Sequence, residues 1–99
     1  MRIAIPHHSD KKTARRKIEQ KIVQMLAQYS HYLSDSSHSW DGDVLHFTGS
    51  AKGLKAAGTV EITDTEVIVD GKLPLIARPF EGRVRHTIER EGEELFGKA

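Results

Sequence analysis

The apolar residues of this chain change period partway along it, and that change bounds what the chain can fold into. From residue 11 to about 30, Ala14, Ile18, Ile22, Met25, Leu26 and Tyr29 recur three or four apart. This spacing predicts one apolar stripe on a helix of about five turns. Beyond residue 43 the period is two. In 44–48, Leu45 and Phe47 share a face while Val44, His46 and Thr48 take the other. In 54–62, Leu54, Ala56, Gly58, Val60 and Ile62 alternate with Lys55, Ala57, Thr59 and Glu61, and 66–69 is a short β-branched run. The links 50–53 and 63–65 are of hairpin length, so the three strands should form an antiparallel meander.

The flanks complete the reading. Residues 2–6 (RIAIP) form an opening strand with Ile3 and Ile5 on one face and Pro6 at its end. Ser9 or Asp10 can cap the helix that follows. Residues 31–39 (HYLSDSSHS) have the composition of a connector, and Asp70-Gly71 reads as a turn. Pro74 and Pro79 bracket a junction, with Pro79 suited to the first turn of a second helix whose stripe is Phe80, Val84, Ile88 and Leu95. Gly92 falls on that stripe at a cost of ~1 kcal/mol relative to alanine. Either close backbone packing offsets it or the helix frays there.

The expected fold is therefore α+β, a single small domain over 1–99 in the order β-α-β-β-β-α. Its four-stranded, mainly antiparallel sheet should carry both helices on one face. That face would meet Ile18, Ile22, Leu26, Val84 and Ile88. The other would be open, carrying His46, Thr48, Lys55, Ala57, Thr59 and Ile68.

Most catalytic chemistry lacks its residues. With no cysteine among 99 residues, disulfides, thiolate nucleophiles and Cys-based zinc sites are excluded, and a reducing cytoplasm is the expected location. No apolar run approaches the ~20 residues of a membrane-spanning helix, and the N-terminus lacks a secretory h-region. The six histidines form no H-x-x-x-H pair, so surface histidines are expected and no metal site is assigned. Ser34, Ser36, Ser37 and Ser39 surround His38 and Asp35, but a connector is a poor scaffold for a positioned nucleophile. Asp41 and Asp43 flank Gly42 as turn residues, and Gly49, Gly53 and Gly58 lead into strand rather than helix, unlike a phosphate cradle. No catalytic residue and no cofactor is assigned.

Charge is distributed unevenly. Residues 1–30 hold seven basic groups against two acidic ones, and residues 31–70 hold two against seven. On the first helix Lys12 and Arg16 fall on one flank of the stripe and Lys17 and Lys21 on the other, with the Arg15 stem close to apolar surface. These residues form either a solvated helix face or an attractive surface for phosphate, an anionic surface or an acidic partner. The candidate contact surface is Lys12, Arg16, Lys17 and Lys21 together with His46, Thr48 and Thr59 of the open face. Trp40 reads as a core anchor.

Three segments, RIAIPHHSDKKTARRKIEQKI, SWDGDVLHFTGSAKGLKAAGTVEIT and VIVDGKLPLIARPFEGRVRHTIERE, resemble the polyhydroxyalkanoic acid system family of small bacterial proteins. The most distinctive parts are Trp40-Asp41-Gly42-Asp43 leading to Phe47, the Gly-containing hairpin and Leu73-Pro74. The resemblance implies a place near polyhydroxyalkanoate storage granules and carries over no catalytic or ligand residue. The expected function is a non-enzymatic accessory protein that binds a granule component, a granule-associated protein or an apolar ligand through the basic first helix and the open sheet face, with a homodimer as a further arrangement. The long amphipathic helices of granule-coating phasins are absent from the sequence. The element order also resembles helix-grip lipid carriers, which hold an acyl chain between helix and sheet. Two rivals stand beside this reading. An RNA or ribosome binder would use the basic first helix, and the order resembles ribosome-hibernation factors, although net charge is +1 and aromatics are only 6% of residues, few for base stacking. A small enzyme would need His46 or His86 beside a carboxylate in a pocket.

Overall fold

The computed structural model describes residues 1–97. Its elements are β1 (Arg2–Pro6), α1 (Lys11–Gln28), β2 (Asp35–Asp41), β3 (Val44–Ala51), β4 (Leu54–Ile62), β5 (Glu66–Lys72), a 3-10 segment (Leu75–Phe80) and α2 (Glu81–Phe96). The strands form one antiparallel sheet in the order β1-β5-β4-β3-β2. Strands β1 and β2 are neighbours in sequence but occupy opposite edges, and α1 crosses between them.

The sheet thus has five strands where the sequence pattern suggests four. The extra strand, β2, occupies much of the expected connector and includes Trp40. It pairs with β3 from Asp35↔Ser50 to Asp41↔Val44. Edge pairing needs only backbone groups, so the exposed side chains can keep turn-like chemistry. Here only His38 and Trp40 are partly covered, and Ser37 Oγ lies 2.9 Å from Thr48 Oγ1 across the ladder. Gly42, at φ +60°, turns the chain between β2 and β3.

Asp70-Gly71 is not a turn either. Both residues pair within β5, opposite Thr59 and Gly58. A Cβ on Gly58 would lie 2.6 Å from the Asp70 carbonyl oxygen and 2.7 Å from Phe47 Cζ. Glycine at 58 therefore permits a close approach of chain and ring.

Ile3, Ile5, Leu45, Val60, Ile62 and Val67 line one face of the sheet and are buried with Ala14 of α1 and Phe96 of α2. Ile18, Ile22, Ile88 and Leu95 pack against this core, so both helices lie on that face, as the periodicity implies. Asp10 caps α1, its Oδ1 accepting from the Thr13 amide at 2.7 Å. The helices run antiparallel: Lys17 Nζ donates to the Leu95 carbonyl at 3.4 Å and Lys21 Nζ lies 2.6 Å from Glu91. Gly92 is buried, and a Cβ there would fall 2.6 Å from Ile5 Cδ1. Close packing, not fraying, is what accommodates this glycine.

The α1 stripe departs from expectation in its last turns. Ala14 is buried and Ile18, Ile22 and Leu26 are half-buried, whereas Met25 and Tyr29 are exposed. The sheet end toward which α1 runs carries Gly49, Ala56, Gly58 and Gly71 on the covered face, small residues that leave little to pack against. Over Gly49 and Gly58 the nearest side chains are Leu33 and Phe47.

His7 corrects the expectation of surface histidines, being only 1% exposed. Nδ1 accepts from the Ser9 amide at 3.1 Å, and a backbone N–H can only donate, so Nε2 carries the proton and donates to the Thr63 carbonyl at 2.8 Å. The ring tilts against Phe96, with centroids 6.3 Å apart. Burial is tolerated because both nitrogens are satisfied.

The packing at glycines gives a direct test. Gly58→Ala should lower unfolding free energy by roughly 1–3 kcal/mol, because the new methyl meets backbone that cannot move aside. Gly82→Ala, in open space on α2, should instead gain roughly 0.5–1 kcal/mol. Urea denaturation of the two variants reads both signs.

Candidate functional site

The basic residues of α1 prove to be mostly engaged. Lys11 donates to Asp43 at 3.0 Å and lies 3.9 Å from Asp64, contacts that raise its pKa, the Asp43 hydrogen bond foremost. The Arg15 guanidinium sits 4.6 Å from the centre of the Trp40 ring. Lys17 and Lys21 hold α2, as described, and Lys17 Nζ also lies 5.7 Å from the Phe96 ring centre. Lys12 and Arg16 remain exposed, with no carboxylate partner among the described residues. The cationic surface is narrower than the sequence suggests.

On the reverse face of the sheet, His46 lies opposite Thr59, and Thr48 lies opposite Ala57 and Ser37. These open-face candidates are brought together by register. They are not brought near the basic helix, because the sheet stands between them.

A second cluster joins α1 to β2. Trp40 Nε1 donates to Glu19 Oε1 at 3.0 Å, and His38 Nε2 lies 3.3 Å from the same oxygen. With Arg15 stacked on the indole, the cluster secures α1 against the edge strand. Glu19 beside His38 also has the makings of an oriented base, but no serine hydroxyl is hydrogen-bonded to that histidine among the described residues. Among the described residues no group of three or more His, Asp or Glu side chains is placed to hold a metal ion.

The most exposed large apolar side chains lie at one end of the molecule, where β2 begins and β5 ends. Leu75 is 76% exposed, Ile76 71% and Phe80 57%, all on the 3-10 segment. Val23, Met25, Tyr29 and Tyr32, on the last turns of α1 and just beyond, are also exposed. The antiparallel helix pairing puts those turns toward the same end, beside the start of α2. Helical spacing places Phe80 on the α2 stripe, but it lies in the 3-10 segment ahead of α2, and Leu75 and Ile76 belong to no stripe. The signal was available: two branched apolar residues enclosed between Pro74 and Pro79 have no periodic partner. Beside the 3-10 segment an open groove of about 660 Å³ crosses the sheet end, lined by residues that include Thr48, Lys55, Lys72 and Pro74.

A family model described as "Putative polyhydroxyalkanoic acid system protein" matches residues 1–96. The chain belongs to this polyhydroxyalkanoic acid system family. No curated protein and no solved structure matches it. In this polyhydroxyalkanoic acid system protein, no helix among the described residues is long and apolar enough to cross a membrane. Its exposed apolar groups sit on a short turn and a helix end, the geometry of a knob.

Two outcomes test the local chemistry. Glu19→Ala leaves the Trp40 N–H without its acceptor, so emission from this single tryptophan should shift to the red, with a stability loss of about 1–2 kcal/mol. The Lys21 hydrogen bond holds the Glu91 carboxyl below its ordinary 4.5, against an opposing desolvation. Since the folded value is the lower one, this stabilisation is complete above pH 4.5 and is lost as pH falls through the depressed value. Lys21→Met should therefore be less stable than wild type at neutral pH, by under about 1 kcal/mol for so accessible a pair. The gap should close in urea titrations run well below pH 4.5.

Proposed function

We propose that this protein is a non-enzymatic accessory component of the polyhydroxyalkanoate storage system that attaches to the polyester granule surface through its apolar end. The observation that carries the reading is the exposure of Leu75, Ile76 and Phe80 together. Family membership supports the choice of surface, since the stored polymer is an aliphatic polyester. Covering a large apolar side chain is worth roughly 1.5–3 kcal/mol, so three of them offset part of the cost of association and leave attachment reversible. The prolines hold the segment's shape before contact, which lowers the ordering cost.

Under this reading α1 is not the docking element. Lys12 and Arg16 lie on its first turns, toward the end where Lys11 meets Asp43 and Asp64, away from the knob. Granule attachment should then be largely insensitive to salt, unlike binding to phosphates.

Co-sedimentation with purified granules tests the assignment. Leu75→Ser/Ile76→Ser/Phe80→Ser should abolish recovery in the granule fraction, while Lys12→Glu/Arg16→Glu should retain it at low and high salt. Equal recovery of the triple serine variant and wild type would overturn the reading, as would loss of wild-type recovery on adding salt.

A further inference from the structure

The groove beside the knob has a composition of its own. Two rows of reverse-face side chains border it. Ser37, Thr48, Ala57 and Lys72 form one row across β2, β3, β4 and β5, and Asp35, Ser50 and Lys55 form the next. Four strands laid side by side give it a span of about 14 Å. Leu73 and Pro74 close the β5 end and lead directly into Leu75 and Ile76.

The polar groups are sorted along its length. Lys72 pairs with Ala57, which makes Lys55 its diagonal neighbour on the same face, about 7–8 Å away and somewhat less between Cβ atoms. Neither lysine has a carboxylate within salt-bridge distance among the described residues. The hydroxyls of Ser37 and Thr48, 2.9 Å apart, and of Ser50 lie toward β2 and β3. Asp35 stands at the β2 end. One end of the groove thus attracts a single negative charge, the middle offers hydroxyl donors and acceptors, and the far end repels a second anion. A polyanion suits such a groove poorly. A linear molecule with one carboxylate, neutral oxygen acceptors and short alkyl branches suits it well.

We propose that this groove binds the carboxylate-terminated end of a short hydroxyacyl ester chain. Lys55 and Lys72 hold the carboxylate, Ser37, Thr48 and Ser50 meet the ester oxygens, and the alkyl branches lie against Ala57 and Pro74. The proposal rests on the polyester reading for the ligand's chemistry. Such an end is available both on the stored polymer and on soluble oligomers released from it, and the two sources share this recognition.

Backbone amide NMR with the full chain tests it, using a linear 3-hydroxybutyrate trimer as probe. The free acid should shift the amide signals of Thr48, Lys55, Ala57 and Lys72, and its methyl ester should bind about tenfold more weakly or worse. Lys55→Gln/Lys72→Gln should lose the acid to the same degree while keeping a folded spectrum. Leu75→Ser/Ile76→Ser/Phe80→Ser should keep trimer binding, which separates this site from the knob. Competition by granules through the groove, abolished in the lysine variant, would identify the polymer as the source of the bound end; binding of the trimer alone would identify the soluble oligomer. The proposal is overturned if the trimer causes no shift at millimolar concentration, if acid and methyl ester bind alike, or if inorganic phosphate displaces the trimer at equal concentration. In that event granule recovery by wild type would leave the attachment reading standing.

Discussion

The seating of α2 on Ile5 is the contact on which the rest of the molecule depends. Ile5 points from an edge strand that is held only by β5, and it fills the space that a side chain at Gly92 would occupy. That approach lowers α2 onto the sheet, sets Phe96 against the His7 ring and brings the Leu95 carbonyl within reach of Lys17. Lys21 then meets Glu91 one turn further along. A larger residue at 92 would lift the helix, open the covered side of His7 and slacken the ties to α1. Removing the cost of a helical glycine would sacrifice the contact that orders both helices.

Periodicity made most of this arrangement legible in advance. Wherever apolar residues alternate or recur at helical spacing, the elements appear within a few residues of expectation, and Leu45, Val60 and Ile18 face the side foreseen. What escaped were features that periodicity does not encode. Strand β2 is stabilised by backbone pairing at an edge, and its Ser-rich side chains carry no alternation strong enough to mark it. His7 is buried because Ser9 and Thr63 supply partners at both nitrogens, a coincidence of two distant loops. The last turns of α1 stay exposed where the facing sheet carries the small residues Gly49, Gly58 and Gly71, an alignment that only the strand register reveals. The candidate site divided in the same way: the reverse-face residues share a surface as alternation implies, whereas Lys17 and Lys21 of α1 are engaged by α2, far away in sequence, and only Lys12 and Arg16 stay exposed.

The result is a molecule whose two ends differ in kind. One end gathers ionic contacts, with Lys11 beside Asp43 and Asp64. The other gathers exposed apolar side chains on a turn stiffened by two prolines, with a mixed polar groove alongside.

The acidic residues that bracket β2 acquire a particular meaning on a crowded surface. Uncovered strand edges are templates for ribbon growth, and molecules held side by side on a particle meet at high local density. If two copies of β2 paired head-to-tail about His38, Ser37 would face Ser39, Ser36 would face Trp40, and Asp35 would face Asp41. Both termini of that ladder would juxtapose like charges. At the opposite edge, Pro6 supplies no amide hydrogen to extend a ladder. Pairing of one sheet with another through β2 is thereby disfavoured at both of its ends, and at β1 the ladder is interrupted at Pro6.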